Sequence, residues 1–181
     1  MRNTIVVRCA RALRQVGFAT LRFNFRGVEG SAGTHHGTQE IEDAVAALGE
    51  IERRYPELPL WAAGYSFGSR VVSELALRSE AIERLVLIAF PCALYDPRFL
   101  ERLQQPALLV LGADDRFGTA ADFHRRLPTP PSKLELVELE GADHFFRGRT
   151  PLVEEVVLRY ARRALQLPEV DEEEAGPASA S

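Results

Sequence analysis

The sequence is poor in the features that mark several classes of protein. Its 181 residues include two cysteines, Cys9 and Cys92, which lie far apart and in no spacing typical of a metal site. Two lone cysteines in apolar surroundings are more often reduced core residues than a disulfide, which favours a cytoplasmic location. No apolar run approaches the length of a membrane span.

Positive charge is present but is not clustered. The 22 Lys and Arg residues, nearly all of them Arg, are scattered along the chain, and the formal net charge is −4. A protein that binds a polyanion would carry a basic stripe. We therefore expect neither nucleic acid nor a membrane as a partner, and the sequence leaves the oligomeric state open.

Hydrophobic periodicity alternates between the helical and the extended pattern along most of the chain. It predicts helices over residues 3–17, 41–51, 67–78, 97–103, 119–127 and 150–164, and strands over 19–25, 58–64, 84–90, 106–112 and 133–141. The strands at 84–90 and 106–112 are apolar on both faces, as central parallel strands must be, whereas 133–141 alternates as an edge strand does. This order predicts a doubly wound, mostly parallel α/β sheet in one domain, residues 1–167, followed by an acidic disordered tail, residues 168–181.

A glycine-rich motif follows the strand at 58–64. Gly64-Tyr65-Ser66-Phe67-Gly68 stands where a strand gives way to a helix, and ligands of such sheets bind beyond the carboxyl ends of the strands. The motif fits the nucleophile elbow G-x-S-x-G, whose sharp turn leaves little room for side chains beside the serine. It also fits a glycine-rich turn with an ordinary N-cap serine, and the pattern alone leaves both interpretations open.

Possible partners of the serine occupy the next two strand ends. Asp114 and Asp115 directly follow one strand, and His144 lies in the loop after the next. Acyl transfer by a serine needs a base to take its proton and a carboxylate to orient that base. Of the four histidines only His144 stands at a strand end, so the chain holds the order Ser, Asp, His.

Four segments resemble a known family. FNFRGVEGSAG (23–33), GYSFGS (64–69), LVLGADD (109–115) and GADHFF (141–146) are similar to the cap-less bacterial hydrolases related to dienelactone hydrolase, in the α/β-hydrolase superfamily, and the likeness runs over residues 3–165. It implies a catalytic triad of Ser66, Asp115 and His144, the backbone N–H of Phe67 as an oxyanion donor, and neither cofactor nor metal. The family's acid is the second aspartate of G-D-x-D, here Asp115, with Asp114 as the alternative.

The chain also departs from that family. Its relatives carry, before the first helix found here, a strand-rich segment and an H-P-x-P-x-x-G-G loop that supplies half of the oxyanion hole. We expect a chain without them to be an N-terminally truncated form of the fold, with strand 19–25 short of partners, a gap beside strand 58–64 and poor activity. The short connection at residues 91–106 leaves no space for a lid domain, which predicts an open site.

The sequence thus predicts a serine hydrolase that cleaves a small ester, thioester or amide through an acyl-enzyme on Ser66. The alternative is a non-catalytic or inactive α/β-hydrolase-like fragment, in which Ser66 and His144 would lie too far apart to form a hydrogen bond. Three other polar residues are expected to serve loop structure or solvation rather than chemistry: Arg26, which follows the strand at 19–25, and the loop residues His35 and His36.

Overall fold

The computed structural model describes residues 3–168. Its elements in chain order are α1 (Thr4–Gln15), α2 (Glu40–Arg54), β1 (Leu60–Tyr65), α3 (Phe67–Ala76), β2 (Ile82–Ile88), a 3₁₀ helix (Pro97–Arg102), β3 (Ala107–Gly112), α4 (Ala120–Arg126), β4 (Leu134–Leu139) and α5 (Thr150–Ala164). All predicted helices form, as do four of the five predicted strands. The predicted tail lies, apart from Pro168, outside the described residues.

The four strands form one parallel sheet in the order β1-β2-β3-β4. The central strands β2 and β3 are almost entirely buried, and β4 lies at an edge with alternate residues exposed. The connection between β2 and β3 contains the 3₁₀ helix and no lid domain. The predicted α/β fold class without a lid is therefore confirmed.

Helices cover both faces of the sheet because successive side chains of a strand point to opposite sides. Leu85 and Leu87 of β2 pack on the face covered by α2, α3 and α4, whereas Val86 and Ile88 pack against α1 and α5. Each such fully buried side chain stabilises the fold by roughly 1.5–3 kcal/mol. Because helices pack on both faces, the central strands are fixed in place, and their carboxyl ends can hold the residues of a site in defined positions.

Polar side chains fix where several helices begin. The side chain of Asn3 accepts hydrogen bonds from the N–H groups of Ile5 and Val6, at 3.0 and 3.2 Å, and so starts α1. Thr119 and Asp122 form a reciprocal capping box at the start of α4. No helix within residues 3–168 is both long enough and apolar enough to cross a bilayer.

The predicted strand at 19–25 is wrong. These residues join no β-ladder with any other described residue, although Phe23 and Phe25 pack against the core. The aromatic composition gives the segment a preference for extended backbone, but a strand also needs a hydrogen-bonded neighbour, and β1 pairs only with β2. A largely apolar cavity of about 350 Å³ lies between residues 18–25 and β1, where the sequence predicted a gap.

Candidate active site

Ser66 occupies a sharp turn between β1 and α3. Its backbone has φ 52° and ψ −120°, a positive φ that is uncommon for residues other than glycine and that persists only where surrounding structure enforces it. A hydrogen bond enforces this backbone conformation, since the N–H of Ser66 donates to the carbonyl of Ile88 at the end of β2, at 2.8 Å. The neighbouring strand thus holds the turn that presents the serine side chain.

Gly64 is required by this turn. A Cβ at position 64 would lie 2.2 Å from the carbonyl oxygen of Gly68, a distance that no real side chain tolerates. A Cβ at position 68 would meet only the ring of Phe25, at an ordinary 3.9 Å. The prediction that the turn lacks room for side chains on both sides of the serine therefore holds for Gly64 and is wrong for Gly68.

The loops after β3 and β4 touch each other at Gly112. A Cβ there would lie 2.3 Å from the carbonyl oxygen of Ala142, and the N–H of Asp114 donates to that same oxygen at 3.0 Å. This close approach of two backbones brings the segment that carries Asp115 against the segment that carries His144.

The structure brings the three predicted triad residues together. The Oγ of Ser66 lies 2.8 Å from Nε2 of His144, and Nδ1 of His144 lies 2.7 Å from Oδ2 of Asp115. Asp115 is 1% exposed and His144 6% exposed, so water competes little for these hydrogen bonds. Asp114, the alternative acid, has an exposed side chain, and the contact to Nδ1 belongs to Asp115.

The second carboxylate oxygen of Asp115 is also held. Its Oδ1 accepts a hydrogen bond from the N–H of Phe117 at 2.8 Å. Both oxygens are thereby oriented, and Oδ2 faces the imidazole. With its proton on Nδ1, the imidazole turns the lone pair of Nε2 toward the serine hydroxyl, as a general base must.

Aromatic rings surround His144. Phe117 and Phe145 meet the imidazole edge-on, with ring centroids at 4.7 and 5.4 Å. The hydroxyl of Tyr65 donates to the main-chain carbonyl of His144 at 3.0 Å. Sequence reasoning did not single out Phe117, and for Tyr65 and Phe145 it favoured plain packing over a part in an acyl pocket. Only the spacing of Phe117 two residues after an aspartate, typical of a turn closed by the carboxylate, could have pointed to its N–H.

Phe67 lies beside the serine as the first residue of α3. The N–H groups of a helix's first turn have no intrahelical acceptor, so this donor is available to a ligand. The ring of Phe67 packs edge-on against His35, with centroids 5.0 Å apart. The assignment of its N–H as an oxyanion donor stays a prediction.

The loop before α2 is held by two carboxylates. Arg26 forms a bidentate pair with Asp43, with its Nη2 2.7 Å from Oδ1, which agrees with a role in loop structure. His35 is exposed, as expected of a loop residue, and its Nδ1 also lies 2.8 Å from Oε1 of the buried Glu40. His36 has an exposed side chain and donates its backbone N–H to the same oxygen.

Known proteins resemble this chain over most of its length. A solved α/β serine hydrolase homologue from Coxiella burnetii is 32% identical with a TM-score of 0.82, over 88% of this chain and 77% of that one. An α/β serine hydrolase without a lid from Xanthomonas campestris is 31% identical with a TM-score of 0.81, over 94% and 77%. An uncharacterized protein of Rickettsia prowazekii is 33% identical over 83% of this chain and 67% of its own length.

A family model described as an alpha/beta hydrolase domain matches residues 1–156. That match includes the serine turn, both aspartates and His144, and the solved relatives share the sheet on which these residues stand. On this match and these likenesses, the chain belongs to the α/β-hydrolase family and is a hydrolase.

Proposed function

We propose that the protein is a serine hydrolase that cleaves a small ester, thioester or amide through an acyl-enzyme formed on Ser66. The observation that carries this proposal is the unbroken chain of contacts from Ser66 Oγ through His144 to Asp115, at 2.8 and 2.7 Å. The non-catalytic alternative expects the serine and histidine to lie apart, so this contact argues against it.

Acylation begins at the serine hydroxyl. As Oγ attacks the substrate carbonyl carbon, its proton passes to Nε2 of His144, and the resulting imidazolium is stabilised by the carboxylate of Asp115. The tetrahedral intermediate then collapses, the bond to the leaving group breaks, and His144 returns the proton to the departing oxygen, sulfur or nitrogen. Water repeats the sequence to release the acid and restore Ser66.

Negative charge develops on the former carbonyl oxygen during both steps. The N–H of Phe67 and the positive end of the α3 dipole stand next to Ser66 and stabilise that charge. One removed donor of this kind typically slows an enzyme by about 10²–10³-fold. The rest of this chemistry uses the side chains already named and requires no metal or cofactor.

The surroundings of the site favour a small acyl substrate. The connection between β2 and β3, where a lid would be inserted, is filled by the 3₁₀ helix and its flanking turns. Ser66 is only partly buried, so an ester can approach its Oγ without a domain movement. A substrate that binds such an open site gains little from burial, which suits short acyl groups better than long lipid chains.

A panel of activated substrates tests this proposal. The protein is assayed with p-nitrophenyl acetate, a short acyl thioester and an acyl anilide, beside Ser66→Ala and the control Ser132→Ala, which changes an exposed serine. We expect turnover by the wild type and by Ser132→Ala, and a loss on the order of 10⁶-fold in Ser66→Ala. A wild type that hydrolyses none of the three, or an active Ser66→Ala variant, contradicts the proposal.

A further inference from the structure

Tyr65 connects the serine turn to the histidine loop. It is the last residue of β1 and directly precedes Ser66. Its hydroxyl donates a 3.0 Å hydrogen bond to the main-chain carbonyl of His144, 79 residues away. Its ring also lies against the imidazole, with ring centroids 5.7 Å apart.

Hydrogen bonds within the histidine loop and to the loop after β3 also hold the loop, and the buried Phe146 packs into the core. Asp143 closes the turn around His144 by accepting the N–H groups of Phe145 and Arg147 at its Oδ1, at 3.1 and 3.0 Å. Asp115 holds the imidazole from the side opposite the serine. Apart from the contact of Ser66 Oγ with Nε2 itself, the hydrogen bond from Tyr65 is the one of these contacts that starts from the turn that carries the nucleophile.

We propose that Tyr65 is a positioning residue that sets the distance between Ser66 and His144. This inference rests on the proposed function. Since Tyr65 and Ser66 are adjacent in the chain, any shift of the serine turn moves the tyrosine hydroxyl with it and draws the histidine loop along. The contact between Oγ and Nε2 is thereby kept at hydrogen-bond length while the loops move, which proton transfer requires.

The tyrosine hydroxyl keeps its proton at neutral pH. Burial, together with the negative charge of Asp115, raises the pKa of Tyr65 to about 12. The group therefore remains a donor to the His144 carbonyl throughout the range in which a serine hydrolase works. It takes no proton from the substrate and acts only through the histidine.

The kinetic test removes this hydroxyl and nothing else. In Tyr65→Phe we expect kcat for p-nitrophenyl acetate, and the second-order rate of labelling by a fluorophosphonate, to fall about threefold to tenfold, as for one lost hydrogen bond. KM should change little, and the melting temperature should fall by only about 2–4 °C, as for one lost hydrogen bond in a domain of this size. Tyr55→Phe, at an exposed tyrosine before the start of β1, at the opposite end of that strand from Ser66, is the matched control and should behave as the wild type.

A spectroscopic arm separates this inference from the proposed function. In protein labelled with ¹⁵N-histidine, the Nδ1–H of His144, identified by its loss in His144→Asn, should exchange with water faster in Tyr65→Phe than in wild type. Labelling and exchange rates that both match the wild type overturn the inference. If the wild type is never labelled, the proposed function fails, and the exchange rates still decide whether Tyr65 holds the histidine.

Discussion

Replacing Asp115 by Asn forces a choice between two hydrogen bonds. In the wild type, Oδ1 accepts the N–H of Phe117 and Oδ2 accepts the Nδ1–H of His144. An amide has only one oxygen. If it stays with Phe117, the NH₂ group faces His144, and Nδ1 must then give up its proton to become an acceptor.

The consequence lies at the opposite side of the imidazole. A neutral histidine without a proton on Nδ1 carries it on Nε2, so Nε2 donates toward Ser66 and no longer accepts its proton. In the reverse orientation the amide NH₂ of the introduced Asn would face the N–H of Phe117. Two donors would then meet, and one of them would stay unpaired in a buried site, at a cost of about 1–3 kcal/mol. The reverse orientation is therefore disfavoured, and we expect kcat to fall by about 10⁴-fold, the loss typical of a triad histidine held in the wrong tautomer.

Asp114→Asn is the matched control for this prediction. It makes the same chemical change one residue away, at an exposed side chain, and should stay within about twofold of wild type, as surface substitutions usually do. Both variants are assayed by p-nitrophenyl acetate hydrolysis and by fluorophosphonate labelling, with melting curves to verify folding. A folded Asp115→Asn variant within tenfold of wild type refutes the reasoning, and a large loss in Asp114→Asn instead identifies the other acid.

Two further predictions concern stability. Gly64→Ala should lower the free energy of unfolding by about 1–3 kcal/mol, because its Cβ would lie 2.2 Å from the Gly68 carbonyl oxygen. Gly49→Ala, in open space on α2, should raise the free energy of unfolding by roughly 0.5–1 kcal/mol. Equal effects of the two substitutions in urea titrations would contradict this prediction. Burial raises the pKa of Cys9 from 9.0 to about 12, so the folded protein keeps a proton that the unfolded chain releases, and stability should fall as pH rises above about 9. Native protein at pH 8 should not react with Ellman's reagent, since Cys9 and Cys92 are both buried, and rapid reaction would show that assignment wrong.

The local pattern of apolar and polar residues was sufficient to predict most of the fold. The apolar runs that became β2 and β3 are buried on both faces, and the alternation at 133–141 marked the edge strand β4. The relative positions of Ser66, Asp115 and His144 also followed from sequence, because the carboxyl ends of parallel strands meet at one edge of the sheet.

The features that the sequence did not predict have one physical cause: each depends on residues that are distant in the chain. Residues 19–25 have the composition of a strand, but pairing depends on a neighbour that the local sequence does not report. The hydrogen bond from Tyr65 to His144 spans 79 residues, and no sequence rule pairs a tyrosine hydroxyl with a given carbonyl. The space beside Gly68 likewise depends on tertiary packing, since a Cβ there would meet only the ring of Phe25.

The most direct test of the acyl-enzyme proposal is to locate the covalent adduct. The protein is treated with a fluorophosphonate, and its intact mass and proteolytic peptides are measured by mass spectrometry. We predict a single adduct on Ser66, at the turn where Oγ contacts His144, and none on the buried Ser69 or Ser73 of α3. An unmodified protein, or an adduct on any residue other than Ser66, would contradict the proposed mechanism.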